Sequence, residues 1–178
     1  MKALNLGCGP RIHPKPWVNA DILEVAGVDI VMDMNNKWPW EDNTFDQFFA
    51  CQVAEHCKDK LHFIMEMWRV CKCGAFCEIQ VPNYTTPAMW TDPTHYTQWN
   101  IDSFRHFIVG DSMHDCQFIR AIGNPGFELV YQDLTSINDP EDTLDWGLTV
   151  IKQGMPKVAE PGKSWRVFYV SNIKKEMN

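Results

Sequence analysis

Three features near the start of the chain could do chemistry together. Gly7-Cys8-Gly9 follows the short apolar run Ala3–Leu6, Asp21 closes the run Trp17–Ile22, and Asp33 directly follows Val28–Met32. Two glycines spaced by one residue let a ligand approach the backbone without meeting a Cβ. An open parallel sheet binds its ligand at the carboxyl ends of its strands. An acid after the second strand can accept both hydroxyls of a ribose, and an acid after the third can accept the exocyclic amine of adenine. Turn, acid and acid, each at a strand end, describe a nucleoside site. Taken singly, Asp21 and Asp33 could equally be plain turn residues.

The elements that must position these residues are legible in outline. Phe45–Cys51 is a nearly continuous apolar run, as a buried parallel strand requires. Over Lys58–Lys72 the period changes: Leu61, Ile64, Met65, Trp68 and Cys71 recur at helical spacing, which predicts a helix closed by Cys73-Gly74. Ala75–Val81 is the next strand. Strand, helix, strand in this order implies a crossover and a parallel sheet. The fold class is therefore α/β, a Rossmann-like, mostly parallel sheet with helices on both faces. The stretch from Gly9 to Trp17 holds Pro10, Pro14 and Pro16 and has no room for a full crossover helix, so the first crossover is shortened. Ile101–Val109 reads as a short helix with Asn100 as N-cap. Phe127–Leu134 and Trp165–Asn172 read as strands. Thr135–Ser164, with three Pro and three Gly, reads as a long loop of the lid or binding kind.

The totals bound the function. A chain of 178 residues favours one domain over 1–178, with 83–125 and 135–164 as substrate or lid segments. The net charge of −7 argues against nucleic acid, whose binding leans on Lys and Arg. No apolar run reaches membrane-spanning length and no signal peptide is visible, so a cytoplasmic protein with reduced thiols is expected. Cys71, Cys73 and Cys77 tempt a zinc reading, but no Cys-x-x-Cys pair occurs among the seven cysteines, and no metal is expected. A nicotinamide site needs a third glycine where this chain has Ile12.

Six blocks in order carry a resemblance: "LNLGCGP", "VNADI", "VDIVMDM", "WPWEDNTFDQFFACQVAEH", "EMWRVCKCGAFCEIQVPN" and "DPTHYTQWNIDSF". Over about residues 3–107 the chain resembles class I S-adenosylmethionine-dependent methyltransferases, in particular the broad type-11-like group of small members. The resemblance implies S-adenosyl-L-methionine as cofactor. Gly7, Cys8 and Gly9 would pack under its adenosine and methionine moieties. Asp21, with Ile22 beside it, would bind the ribose, and Asp33 and Met34 would flank the adenine. Cys51 and Gln52 would line the sulfonium, and Glu55-His56 would stand near the cleft. Asn5 occupies a place where the family often has an acid, and an amide there can still hydrogen-bond the loop.

The expected activity is methyl transfer to a small-molecule acceptor. An oxygen acceptor needs a proton removed, and His95 is the first candidate base, with Asp92 and His56 behind it. Tyr84, Trp90, Tyr96 and Trp99 could form an aromatic acceptor wall. Asp92–Trp99 could instead be a rigid loop packed on the sheet, and Glu55-His56 could simply cap the following helix. "PNY" at Pro82–Tyr84 stands after the fifth strand and not after the fourth, which disfavours amino-group methylation of nucleic-acid bases. The alternative function is a catalytically silent, cofactor-binding partner subunit.

Overall fold

The computed structural model describes residues 1–114, 116–134, 143–152 and 154. Its centre is a seven-stranded sheet in the order β3-β2-β1-β4-β5-β7-β6. Strands β1 (Ala3–Leu6), β2 (Trp17–Asp21), β3 (Ile30–Val31), β4 (Phe45–Cys51) and β5 (Cys71–Pro82) pair in parallel. Strand β7 (Thr143–Ile151) runs antiparallel between β5 and β6 (Gly126–Leu134). This is the Rossmann-like, mostly parallel sheet with a shortened first crossover that the sequence predicts. The chain winds outward from β1 through β2 to β3, then returns to place β4 on the other side of β1. That reversal is the switch point where open α/β sheets bind ligands.

The sheet's two faces are packed differently because strand residues alternate. Leu4, Leu6, Phe48, Ala50, Cys77, Ile79 and Val81 are buried in the main core. Against this face lies α1 (Lys60–Val70), burying Phe63, Ile64, Met67 and Val70. Asp59 caps the helix, accepting from the Leu61 and His62 amides at 2.9 and 3.2 Å. The opposite face carries the smaller cluster of Ala3, Trp17 and Phe49. No helix covers it over 7–16. Instead the His13 ring packs on Trp17 and Phe49, with ring centroids 4.8 and 5.3 Å away.

Glu66 and Arg69 explain the "EMWR" block. The Arg69 guanidinium holds both Glu66 oxygens and donates to the Trp38 and Trp40 carbonyls, while Glu66 accepts from the Trp38 amide at 2.7 Å. The pair clamps the loop after β3 onto α1, and Trp38 stacks on Phe48 at 5.9 Å.

Several expected elements are corrected. The helix predicted over Lys58–Lys72 ends at Val70, and Cys71 already opens β5. Gly74, φ +85°, is no helix cap; it lies where the register against β4 slips, so it serves a bulge. The third strand shrinks from Val28–Met32 to Ile30–Val31. Within Ile101–Val109 only Arg105–Phe107 forms a 3-10 turn, although Asn100 does accept from the Asp102 amide. The stretch 135–164 is not one loop, because Thr143–Ile151 is a sheet strand. Leu144, Trp146, Leu148 and Val150 alternate into the core, a two-residue period visible in the sequence. The rest of 135–164, apart from Lys152 and Gly154, and all of Trp165–Asn172, lie outside the described residues. Two short helices, α2 (Pro87–Thr91) and α3 (Gln117–Ala121), were not predicted.

Candidate active site

A cleft of about 570 Å³ opens at the carboxyl ends of β1, β2, β3 and β4. Gly7, Gly9, Asp21, Ile22, Asp33, Met34, Gln52 and His56 all line it. That volume suits a nucleoside-sized ligand.

The glycine turn has two distinct jobs. Gly7 has φ +66°, and a Cβ there would lie 2.2 Å from Val53 Cγ2, so the turn packs directly on the segment after β4. Gly9 has φ +48°, and a Cβ there would meet no protein atom within 4 Å, because that side is cleft. Asp21 closes the turn. One carboxylate oxygen accepts from the Gly9 amide at 2.7 Å and the other from the Leu23 amide at 2.9 Å. Each oxygen keeps a further lone pair. Asp33 folds back on Asn35, accepting from its backbone amide at 2.9 Å and its side-chain amide at 2.8 Å. These bonds, the backbone one first, hold its carboxyl below the usual range, so it stays an acceptor. The turn, the two acids and the open side of Gly9 offer the space and the acceptors that a nucleoside group uses.

Three expected cofactor residues do not reach the cleft lining. Asn5 is buried beneath the turn, donating to the Arg11 carbonyl and to Asn19 Oδ1, both at 2.9 Å. Cys8 is buried, and burial, with the nearby Asp21 charge, pushes its thiol up to about 11. Cys51 Sγ donates to Gln80 Oε1 at 3.0 Å and receives Arg11 Nη1 at 3.4 Å. It packs with the smaller cluster on the opposite face, and burial raises its thiol to about 11. Gln52 alone of this pair turns inward, at φ +54°.

The far wall joins two segments. The 3-10 turn Ala54–His56 follows β4, and the loop 92–97 lies on it. The Glu55 carbonyl accepts from the Tyr96 and Thr97 amides at 2.9 and 3.1 Å. Thr94 donates its hydroxyl proton to Asp92 Oδ1 at 2.6 Å, so its oxygen can only accept from His56 Nδ1, 2.9 Å away. The Thr94 carbonyl lies 3.2 Å from the same nitrogen. His95 Nδ1 faces the Met89 carbonyl at 3.0 Å. Both rings therefore donate through Nδ1. The two rings meet edge to face at 4.7 Å, and Asp92 Oδ2 lies 3.7 Å from His95 Nε2. Burial, then His95, lowers the His56 pKa.

The expected catalytic group thus comes together, but His56, not His95, lines the cleft. Glu55-His56 does not cap α1, since Asp59 does. Glu55 is fully buried, and its carboxylate reaches no group beyond its own backbone amide. Burial pushes its carboxyl up to about 8. Of the expected aromatic wall, Tyr96 lines the cleft, with Lys58 Nζ 5.6 Å above its ring. Tyr84 and Trp90 are exposed, and Trp90 Nε1 donates to the Tyr84 carbonyl. Trp99 is no wall residue: it is buried among Phe63, Phe104 and Trp146. Val53, Lys58 and Thr94 line the cleft without having been predicted. Val53 directly follows Gln52, Lys58 stands two residues after His56, and Thr94 lies within "DPTHY"; that nearness was the available signal.

Residues 30–79 match the family model described as "Methyltransferase domain". Those residues span β3, β4 and α1 and most of β5. A methyltransferase of Haloferax volcanii, solved in complex with the Trm112 methyltransferase activator, superposes with a TM-score of 0.58 at 13% identity, over 85% of this chain and 83% of that one. The chain has the class I methyltransferase fold. A SAM-dependent methyltransferase from Aquifex aeolicus shares the fold with a TM-score of 0.52 at 15% identity, over 85% of this chain and 82% of the other. So does the [4+2]-cyclase SpnF, with a TM-score of 0.53 at 16% identity, over 85% and 74%. No curated protein matches the chain by sequence. The methyltransferase resemblance read from the six blocks thus holds in both the family segment and the fold. Among the described residues, no helix is long and apolar enough to cross a membrane.

Proposed function

We propose that the chain binds S-adenosylmethionine in this cleft and transfers its methyl group to an oxygen of a small-molecule acceptor. The observation that carries the reading is convergence. The glycine turn, Asp21 and Asp33 line one side of a single cleft, and His56, Thr94 and Tyr96 line the other. The cofactor supplies a methyl group on a cationic sulfur. The chain's own residues supply alignment and exclusion of water. Asp21 and Asp33 offer acceptors to ribose hydroxyls and an adenine amine. Gly9 leaves space for the ligand. Met34 and Ile22 give apolar surface, and Tyr96 presents a ring to the acceptor side.

An acceptor hydroxyl must lose its proton as its oxygen attacks. His56, His95, Asp92 and Glu55 cluster beside the cleft and are the groups this reading assigns to the acceptor's activation. A small acceptor fits the net charge of −7, which disfavours a polyanion.

The test is turnover of S-adenosylmethionine with a panel of phenols, catechols and carboxylic acids, with a short RNA as counter-substrate. S-adenosylhomocysteine should form with at least one hydroxyl compound and not with RNA. Turnover with RNA alone would overturn the acceptor assignment.

A further inference from the structure

Glu55, His56 and His95 form a cluster that proton transfer alone does not explain. Each offers a ligand atom, and these atoms all lie within 4.8 Å of one another. Glu55 is fully buried, and neither oxygen is bonded to any other residue. A buried carboxylate without a partner is costly, and native proteins resolve it with a proton or a bound cation. The surroundings favour the cation. His56 and His95 both direct Nδ1 at backbone carbonyls, of Thr94 and Met89. That is the arrangement that fixes the tautomer of metal-binding histidines and presents Nε2 to the ion.

The supports are themselves held. Thr94 is bonded to Asp92 through both its amide and its hydroxyl, and the Glu55 carbonyl is bonded to Tyr96 and Thr97. The three ligands are therefore brought together by two separate segments locked to each other. A single ion with ligand bonds of about 2.0–2.2 Å would draw the groups in by small side-chain rotations.

We propose that Glu55, His56 and His95 bind one divalent transition-metal ion, such as Zn²⁺, with a position left open towards the cleft. Two imidazoles and one carboxylate suit borderline cations better than Mg²⁺ or Ca²⁺, which prefer oxygen. The buried cysteines stand elsewhere: Cys71 and Cys77 sulfurs pair at 3.8 Å in the core. His56 belongs to both the cation cluster and the cleft lining, so the open position faces the acceptor side. There the ion would hold the acceptor hydroxyl and ease loss of its proton: the O–H bond would break with its electron pair left on the oxygen and the proton passed to solvent at the cleft mouth, His56 acting as ligand and not as base. The site stands on its own geometry; this role rests on the reading of the cleft as a methyl-transfer site.

The test is titration of chelator-treated protein with Co²⁺ alone. One equivalent should bind and give visible d–d absorption without the intense near-ultraviolet band of thiolate ligation. Glu55→Gln and His95→Asn, checked for fold by circular dichroism, should each weaken binding by more than about 100-fold, beyond what loss of a second-sphere partner costs. In the unsubstituted protein, Zn²⁺ should move the imidazole NMR signals of His56 and His95 and leave the other four histidines in place. No binding by the folded protein, a thiolate band, or shifts confined to other histidines would overturn the proposal. S-adenosylhomocysteine binding is measured on the same samples. Co²⁺ binding without it would sink the cofactor reading alone, and the converse would sink the cation site alone.

Discussion

Asn5 and Asn19 face each other across β1 and β2 and share a hydrogen bond of 2.9 Å. Asn19 Oδ1 also accepts from the His13 amide and its Nδ2 donates to the His13 carbonyl, while Asn5 Nδ2 holds the Arg11 carbonyl. The two amides replace the missing crossover helix. They satisfy the backbone of a proline-rich loop that has no regular structure of its own. Asn5→Leu and Asn19→Leu should each destabilise by roughly 1–3 kcal/mol, since buried backbone groups lose partners. A double-mutant cycle by urea unfolding should show coupling of roughly 0.5–3 kcal/mol. Additive effects would mean that the pair does not act as a unit.

Gly7 and Gly9 should respond differently to the same substitution. Gly7→Ala drives a Cβ into Val53 and should cost well over about 1 kcal/mol, the steric cost of the left-handed conformation alone. Gly9→Ala meets nothing in the protein, so its stability loss should stay near roughly 1 kcal/mol. Its affinity for S-adenosylhomocysteine should nevertheless fall at least about tenfold, a cost of about 1.4 kcal/mol. Melting curves and calorimetric titration on both variants separate packing from binding.

Gln52 holds a left-handed conformation, φ +54°, that glycine adopts freely. Such residues persist where a site needs their side chain. Gln52→Gly should leave stability unchanged or raise it by up to about 1 kcal/mol, while weakening the binding of cofactor or acceptor. A stability loss above that range would show that Gln52 serves packing instead.

His13 carries a pH dependence. Burial lowers its pKa to about 4, from the ordinary value of 6.5. Below pH 6.5 the unfolded chain takes up a proton that the folded protein refuses. The stabilising contribution is therefore complete above pH 6.5 and is lost as pH falls towards 4, by at most roughly 3 kcal/mol. His13→Phe should flatten the difference in urea midpoint between pH 7 and pH 5. An equal slope in both proteins would contradict this account of His13.

Much of the fold was legible because its signals are local. Ala3–Leu6 and Phe45–Cys51 announce buried strands, and the stripe of Leu61, Ile64, Met65 and Trp68 announces a packed helix by period alone, although the helix buries Phe63, Ile64, Met67 and Val70 most deeply. The cleft side of the site was legible for the same reason, since Gly9, Asp21 and Asp33 each sit at a strand end. What was missed depends on long-range pairing. Trp146 enters the core only because β7 inserts between β5 and β6, far along the chain. The burial of Glu55 and the placing of His56 rather than His95 on the cleft arise where residues 54–56 meet 92–97, a contact no spacing announces. Cys51 was misplaced by one residue's alternation: the strand turns it to the opposite face and leaves Gln52 to enter the cleft.

The most direct test of the central claim is calorimetric titration of the purified protein with S-adenosylhomocysteine, with Asp21→Ala alongside. The account predicts one equivalent bound by the wild type, and loss of that binding in a variant that still folds. No binding by the folded wild type, or equal binding by both proteins, would contradict it.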